Sequence, residues 1–144
     1  EMNYNRWNLK LELASYDKNP ENKEGDTRDV VMMTAYGAPY AVASRANLYT
    51  AGLSYTVPVA WGPVSDLQFY NDFGWMDKSA NGFKDSFQNV TGCMITVGSI
   101  YAYADYALGK NHAWLGPEWT NAFAEGGSSN SWHGRANLNL GYYF

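Results

Sequence analysis

The stretch WNLKLELA, residues 7–14, alternates apolar and polar side chains with hardly a break. The large apolar residues fall on one side of an extended chain: Trp7, Leu9, Leu11 and Leu13. Successive residues of a β-strand face opposite sides, whereas a helix would separate Leu11 from Leu9 and Leu13. This stretch therefore predicts a β-strand with one apolar and one polar face.

Six further stretches favour strands: residues 30–36, 47–57, 64–76, 87–97, 100–109 and 132–144. The breaks at Trp61-Gly62-Pro63 and Gly98-Ser99 are short, whereas the polar connections at residues 17–29, 77–86 and 110–131 are long. Short connections at one end and long ones at the other are typical of transmembrane β-barrels. Residues 40–46 fit either a short strand, which gives eight strands, or part of a connection, which leaves seven.

Charged residues are segregated by face in these predicted strands. A Lys or Arg on the lipid side of a membrane barrel costs about 2–4 kcal/mol at the bilayer midplane, so charges should point inward. We therefore predict that the polar faces line an aqueous interior, with these residues: Lys10, Glu12, Asp66, Asp72, Tyr101, Tyr103, Asp105, Arg135, Asn137 and Asn139. The carboxylates among them are expected to be hydrated or paired with Lys10 and Arg135.

The composition excludes several other classes of protein. A single cysteine rules out a disulfide scaffold within the chain, and no Cys/His cluster has the spacing of a zinc site. Ten basic residues against 14 acidic ones give no electrostatic footprint for nucleic acid. No run approaches the roughly 18 apolar residues of a membrane helix. We expect neither a metal nor a cofactor.

The chain is charge-poor and rich in aromatic residues, at 17% each, and its mean hydropathy is only −0.43. A membrane barrel needs one apolar face per strand, so its mean hydropathy stays low. We predict a single all-β domain over residues 1–144, an antiparallel transmembrane β-barrel. The alternative is a soluble sandwich or lipocalin-like barrel, but that fold would carry many charged residues on its outward face.

The last eight residues, NLNLGYYF at 137–144, resemble the C-terminal strand of bacterial outer-membrane β-barrel proteins. The resemblance rests on a terminal Phe preceded by apolar residues at alternating positions: Leu138, Leu140, Tyr142 and Phe144. It implies an outer-membrane location with a periplasmic C-terminus. It also implies contact with outer-membrane lipid and lipopolysaccharide, and recognition of this strand by the barrel-assembly machinery.

A narrower resemblance covers the chain from about residue 53 onward. The order of Trp61-Gly62-Pro63, LQFYNDF at 67–73, GKNH at 109–112, WLGPEW at 114–119 and the final GYYF is similar to the C-terminal half of phosphate-selective O/P-type porins. Those porins are larger, usually sixteen-stranded trimers, so the resemblance implies a segment of a larger barrel and a homotrimer as its assembly. Their anion selectivity needs a basic lumen, and only Lys10 and Arg135 point inward here, so we expect passive diffusion alone.

The predicted function is therefore that of a porin, which passes small hydrophilic solutes without turnover chemistry. The alternative is a small eight-stranded barrel with no open pore that acts through its external loops in adhesion or envelope structure. Ser131 and His133 would share one strand face, but no carboxylate is identifiable to orient the imidazole. We expect no enzyme activity. Trp114 and Trp119, in the long loop, are candidates for contact with solutes.

Overall fold

The computed structural model describes residues 1–21 and 28–144, and nine β-strands lie within them. The strands are β1 (Met2–Tyr4), β2 (Trp7–Asp17), β3 (Val30–Ala35), β4 (Ala38–Ala43), β5 (Arg45–Trp61), β6 (Val64–Lys78), β7 (Ser86–Val97), β8 (Ile100–Lys110) and β9 (Trp132–Tyr142). Every pair of neighbouring strands is antiparallel. The prediction of an all-β, antiparallel protein is confirmed.

Seven strands form one main sheet in the order β1-β2-β5-β6-β7-β8-β9, and β3 and β4 form a separate hairpin. Within the described residues, the edge strand β9 pairs only with β8, and no pairing joins it to β1 or β2. The sheet is therefore open at both edges.

The connections divide between two ends of the main sheet. The turn rim holds the two-residue turns at 5–6, 62–63 and 98–99. The loop rim holds the connections 79–85 and 111–131, and the described parts of the connection between β2 and β5, at 18–21 and 28–44. Each turn begins at a residue with positive φ: Asn5 (54°), Gly62 (59°) and Gly98 (56°). Two-residue hairpin turns require this conformation to match the twist of the strands. The predicted turns at Gly62 and Gly98 are confirmed.

The region between β2 and β5 differs from the eight-strand interpretation. The predicted strand at 30–36 exists as β3, and residues 40–46 mostly belong to β4, but the two strands pair with each other outside the main sheet. They cannot enter it because β2 pairs with β5 along its whole length, from Trp7↔Tyr55 to Asp17↔Arg45. Residues 22–27 of the predicted loop 17–29 lie outside the described residues. The seventh strand of the sheet is β1, which the sequence analysis missed.

The register gives the main sheet an apolar face, on which Leu9, Leu53 and Phe69 lie, and a polar face, on which Lys10, Asp72 and Asp105 lie. The buried apolar residues lie at the loop rim: Tyr40, Ala41, Ala43, Ala46, Ala80, Ala107, Ala113, Leu115, Ala122 and Ala124. Leu9, Leu53, Leu108 and Leu140 are absent from this core. The apolar face is therefore not the protein's interior.

Candidate pore-lining face

The strand register places all ten residues predicted to line an interior on the polar face. The placement of each residue follows from direct cross-strand pairs, such as Asp72 with Gly52 and Asp105 with Asn137. The face carries four carboxylates and three cations: Glu12, Asp66, Asp72 and Asp105, with Lys10, Lys78 and Arg135. Its net charge is therefore −1, which mildly favours cations over anions near the face.

A hydrogen-bonded network on this face joins side chains of β6, β8 and β9 and passes over β7. The Tyr70 hydroxyl donates to Asp105 Oδ2 at 3.0 Å, and Asn137 Nδ2 donates to Asp105 Oδ1 at 2.9 Å. Arg135 Nε donates to Asn137 Oδ1 at 3.2 Å and so places a cation two bonds from the carboxylate. Asp105 is thus fixed by partners on both sides, and hydrogen bonds to a charged group are among the stronger ones.

Two glycines provide the space that these side chains occupy. A Cβ atom on Gly92 would lie 2.6 Å from the Tyr70 ring and from Asp105 Cβ, so Tyr70 reaches Asp105 only because β7 has no side chain there. A Cβ on Gly52 would likewise lie 2.6 Å from Asp72 Oδ1. The glycines in these strands are therefore part of how the polar face is built.

The other predicted lining residues do not join this network. No salt bridge within 4.0 Å links Lys10 or Arg135 to a carboxylate in residues 1–21 and 28–144, where Arg45–Asp29 is the ion pair observed. The expected pairing with Lys10 and Arg135 is therefore not found in this part of the chain. Asp72 and Lys10 line an open recess of about 500 Å³ on the polar face.

The long loop 111–131 folds over the loop-rim end of the polar face. Lys78, at the end of β6, is only 6% exposed, and its Nζ donates to the carbonyl oxygens of Ala122 and Ala124 at 2.9 Å each. The Ser86 hydroxyl donates to Asn111 O at 2.6 Å. These bonds satisfy buried polar groups of the strands with the backbone of the loop.

His112 anchors the start of this loop. It is 8% exposed, its ring lies 4.8 Å from that of Phe123, and its Nδ1 accepts a hydrogen bond of 3.3 Å from Trp114 N. Burial, with a smaller contribution from the charge of Arg135, lowers the pKa of His112 to about 4. The imidazole is therefore neutral at pH 7, as its acceptor role requires.

An aromatic cluster that the sequence analysis missed joins the hairpin to the loop. Tyr40 of β4 contacts Trp114, Trp119 and Phe123, with ring centroids between 5.6 and 6.2 Å apart. Trp119 Nε1 also donates to Pro39 O at 3.1 Å. The two tryptophans considered for solute contact thus hold the two connections together. Their spacing in the loop carried no signal of this distant partner.

The residues considered for catalysis are arranged differently from the expectation. The Ser131 hydroxyl donates to Ser129 O, and Ser129 Oγ is the atom that lies 3.3 Å from His133 Nε2. Among the described residues, no carboxylate is hydrogen-bonded to His133. These residues also contain no group of three or more His, Cys, Asp or Glu side chains that could hold a metal ion. The geometry supplies a Ser–His contact without an orienting acid.

The predicted assembly signal lies on the exposed edge strand β9, except for Phe144, which follows the end of that strand. Leu138 and Leu140 are on the apolar face of β9 and are 82% and 76% exposed, and Tyr142 and Phe144 are also exposed. Because β9 is an edge, its outer backbone groups have no partner strand within the described residues.

Comparison of the chain with protein-family models, with curated proteins and with solved structures finds no match. None of the described residues form a helix of the length and apolarity needed to cross a bilayer.

Proposed function

We propose that this chain forms part of an outer-membrane β-barrel that passes small hydrophilic solutes by passive diffusion. The observation that carries the proposal is the sidedness of the main sheet. Its apolar face, which carries charge only at the loop rim, is exposed, and its polar face is the side on which the connections fold and the buried core lies. A water-soluble sheet protein has the opposite arrangement.

The exposed apolar face is larger than a soluble protein tolerates. Leu13, Leu138 and Leu140 are each more than 70% exposed, and other large apolar side chains of the same face are also exposed: Trp7, Leu11, Leu53, Phe69, Phe73 and Tyr106. Contiguous apolar patches on soluble monomers rarely exceed a few hundred Å². Hydrocarbon is the solvent that such a face favours.

The height of the uncharged band fits a membrane. On the apolar face of β6 no charge occurs from Ser65 to Trp75, and Asp77 follows at the loop rim. Ten steps of about 3.4 Å, tilted by about 40°, span about 26 Å, close to the roughly 25 Å apolar band of outer-membrane barrels. Asp17, Arg45 and Lys110 also lie on this face at the loop rim.

A polar group at the middle of the band is satisfied internally. Asn71 Nδ2 donates to Thr91 Oγ1 at 2.7 Å and to Asn89 Oδ1 at 3.0 Å, and Asn89 Nδ2 donates back to Asn71 Oδ1 at 3.2 Å. A buried polar group is costly in hydrocarbon chiefly when it lacks a partner. These mutual bonds reduce the cost of exposing the three side chains to lipid.

The open edges of the sheet bear on the size of the proposed barrel. Unpaired backbone groups cannot remain in hydrocarbon, so we propose that further strands close the ladder by pairing with β9 and with the edge made by β1 and the rest of β2, since β1 covers only Trp7–Leu9 of β2. A large barrel of about sixteen strands keeps an aqueous channel, whereas eight strands fill their interior with side chains. In this proposal, loop 111–131 narrows the passage, and the net charge of −1 on the polar face makes it mildly cation-selective.

The test is single-channel recording in planar lipid bilayers combined with labelling of single cysteines. In a Cys93→Ser background, Asp72→Cys places a thiol on the polar face, and Phe73→Cys places one on the adjacent apolar position. We expect discrete conductance steps, and a cationic methanethiosulfonate should lower the cation current only in the Asp72 variant. Absence of steps, or an effect confined to the Phe73 variant, would refute the proposal.

A second candidate is a barrel without an open pore that acts through its external loops. It is favoured by the packing of hairpin β3–β4 against loop 111–131, through bonds from Ala41 N to Thr120 O and from Ala43 N to Phe123 O. These two connections hold most of the buried core. Silent bilayers, together with loss of cell adhesion when loop 111–131 is replaced, would support this candidate.

A further inference from the structure

An apolar groove of about 760 Å³ lies between the hairpin and the loop-rim ends of β2, β5 and β6. Six of its lining side chains define what we call the rim groove: Tyr16, Leu48 and Met76 from the main sheet, and Val31, Met33 and Val42 from the hairpin. Its volume is in the range of small-molecule sites, which is about 300–1,000 Å³.

The register explains why this part of the polar face is apolar. Leu48 and Met76 are direct cross-strand partners on that face, and Val31 and Val42 are partners on the hairpin. The Tyr16 hydroxyl donates to Ala43 O at 2.9 Å, so the residue presents its ring to the groove. The groove is thus an apolar site on an otherwise polar surface.

The rim groove has a basic side chain at its lining. Among the described residues that line it, Lys18 is the charged one, and Asn19 beside it can donate further hydrogen bonds. The nearby Arg45 and Asp29 neutralise each other at 2.9 Å. A ligand that fits this groove therefore has an apolar body and an anionic end.

We propose that the rim groove binds small amphipathic carboxylates, with the apolar tail against Met33, Leu48 and Met76 and the carboxylate at Lys18. Water against apolar walls is readily displaced by an apolar solute, and methionine sulfur makes favourable contacts with aromatic rings. Aromatic monocarboxylates are the members of this class that use both features. The site is independent of conduction and goes beyond the proposed diffusion function.

The test is a binding titration of the protein in lipid nanodiscs, with empty nanodiscs as the blank. The probe is 4-phenylbutyrate, and 4-phenylbutylamine is the matched compound with the same skeleton and opposite charge. Calorimetry should show saturable one-to-one binding of the carboxylate, at least tenfold tighter than that of the amine. Non-saturable uptake, or equal affinity for the two compounds, would overturn the proposal.

Two neighbouring methionines provide matched variants. Met33 lines the groove, whereas Met32 lies on the opposite face of the hairpin, and both are about half exposed, so substitution should not unfold the protein. Met33→Glu should weaken 4-phenylbutyrate at least tenfold and Met32→Glu should leave it unchanged, while Lys18→Gln should remove the preference for the carboxylate. Equal effects of the two glutamates would place binding elsewhere and refute the site. Binding by a protein that conducts no current would refute only the porin proposal.

Discussion

Replacing Gly92 by alanine tests whether the polar face is built around a missing side chain. The added Cβ would lie 2.6 Å from the Tyr70 ring and from Asp105 Cβ, about 1 Å closer than an ordinary contact between carbon atoms. Tyr70 must therefore move away and lose its 3.0 Å hydrogen bond to Asp105.

The expected destabilisation is about 3–4 kcal/mol. A hydrogen bond to a charged group contributes about 1.5–3 kcal/mol, and overpacking adds about 1–3 kcal/mol, while alanine in a strand regains about 0.5–1 kcal/mol over glycine. Gly74→Ala is the matched control, since its Cβ would meet nothing nearer than Gln88 Cβ at 4.0 Å. That variant should be neutral or slightly more stable.

Urea titration of the protein folded in phospholipid vesicles, followed by tryptophan fluorescence, measures these differences. Tyr70→Phe should cost about 1–2 kcal/mol in the native protein, yet close to nothing in the Gly92→Ala background, where the bond is already broken. If the two substitutions add independently, or if Gly74→Ala is as harmful as Gly92→Ala, the proposed close packing of Tyr70 over Gly92 is wrong.

Three further predictions concern the apolar face and the inward-folded loop. Leu138→Lys should destabilise the membrane-inserted protein by about 2–4 kcal/mol and Asn139→Lys on the opposite face far less, as refolding into vesicles would show; equal effects would contradict the sidedness. The pKa of His112 lies at about 4 in the folded protein, below its ordinary value of 6.5, so the unfolded chain binds more protons between these values. Loop docking should therefore be fully stable above about pH 6.5 and lose at most about 3 kcal/mol of stability as the pH falls to 4. Proteolysis of the loop should increase over the same range, and His112→Gln should remove this pH dependence. Lys78→Met removes two buried hydrogen bonds to the loop backbone. It should lower the free energy of opening the loop by about 2 kcal/mol and so increase cleavage of the loop by proteinase K. Lys84→Met, which removes one bond at a more exposed position, should have a smaller effect, and the reverse order would contradict the anchoring role of Lys78.

The sidedness of the main sheet and the covering of its polar face by loop 111–131 have different consequences for the proposed function. The sidedness of the sheet determines which solvent surrounds it, and this holds for both the porin and the pore-free barrel. In the proposed barrel, the loop that covers the polar face determines whether a passage stays open. Conductance measurements on the protein without residues 113–129 would separate the two roles, because a barrel blocked only by this loop should then conduct.

The sequence alone determined six of the seven strands of the main sheet and their faces. Alternation in WNLKLELA and in residues 100–109 correctly predicted β2 and β8, and glycines at 62 and 98 correctly predicted the turns. These features could be predicted because strand periodicity and turn conformation depend on residues only one to three positions apart.

Only the tertiary structure decided which distant residues meet. The contact of Tyr70 with Asp105 across Gly92, and the bonds from Lys78 to the loop backbone, join residues 35 to 46 positions apart. The pairing of β2 directly with β5, which excludes the hairpin and creates the rim groove, is likewise a long-range choice. Alternation is the same in every strand, so it does not specify partners. That choice depends on how the folded chain packs its side chains.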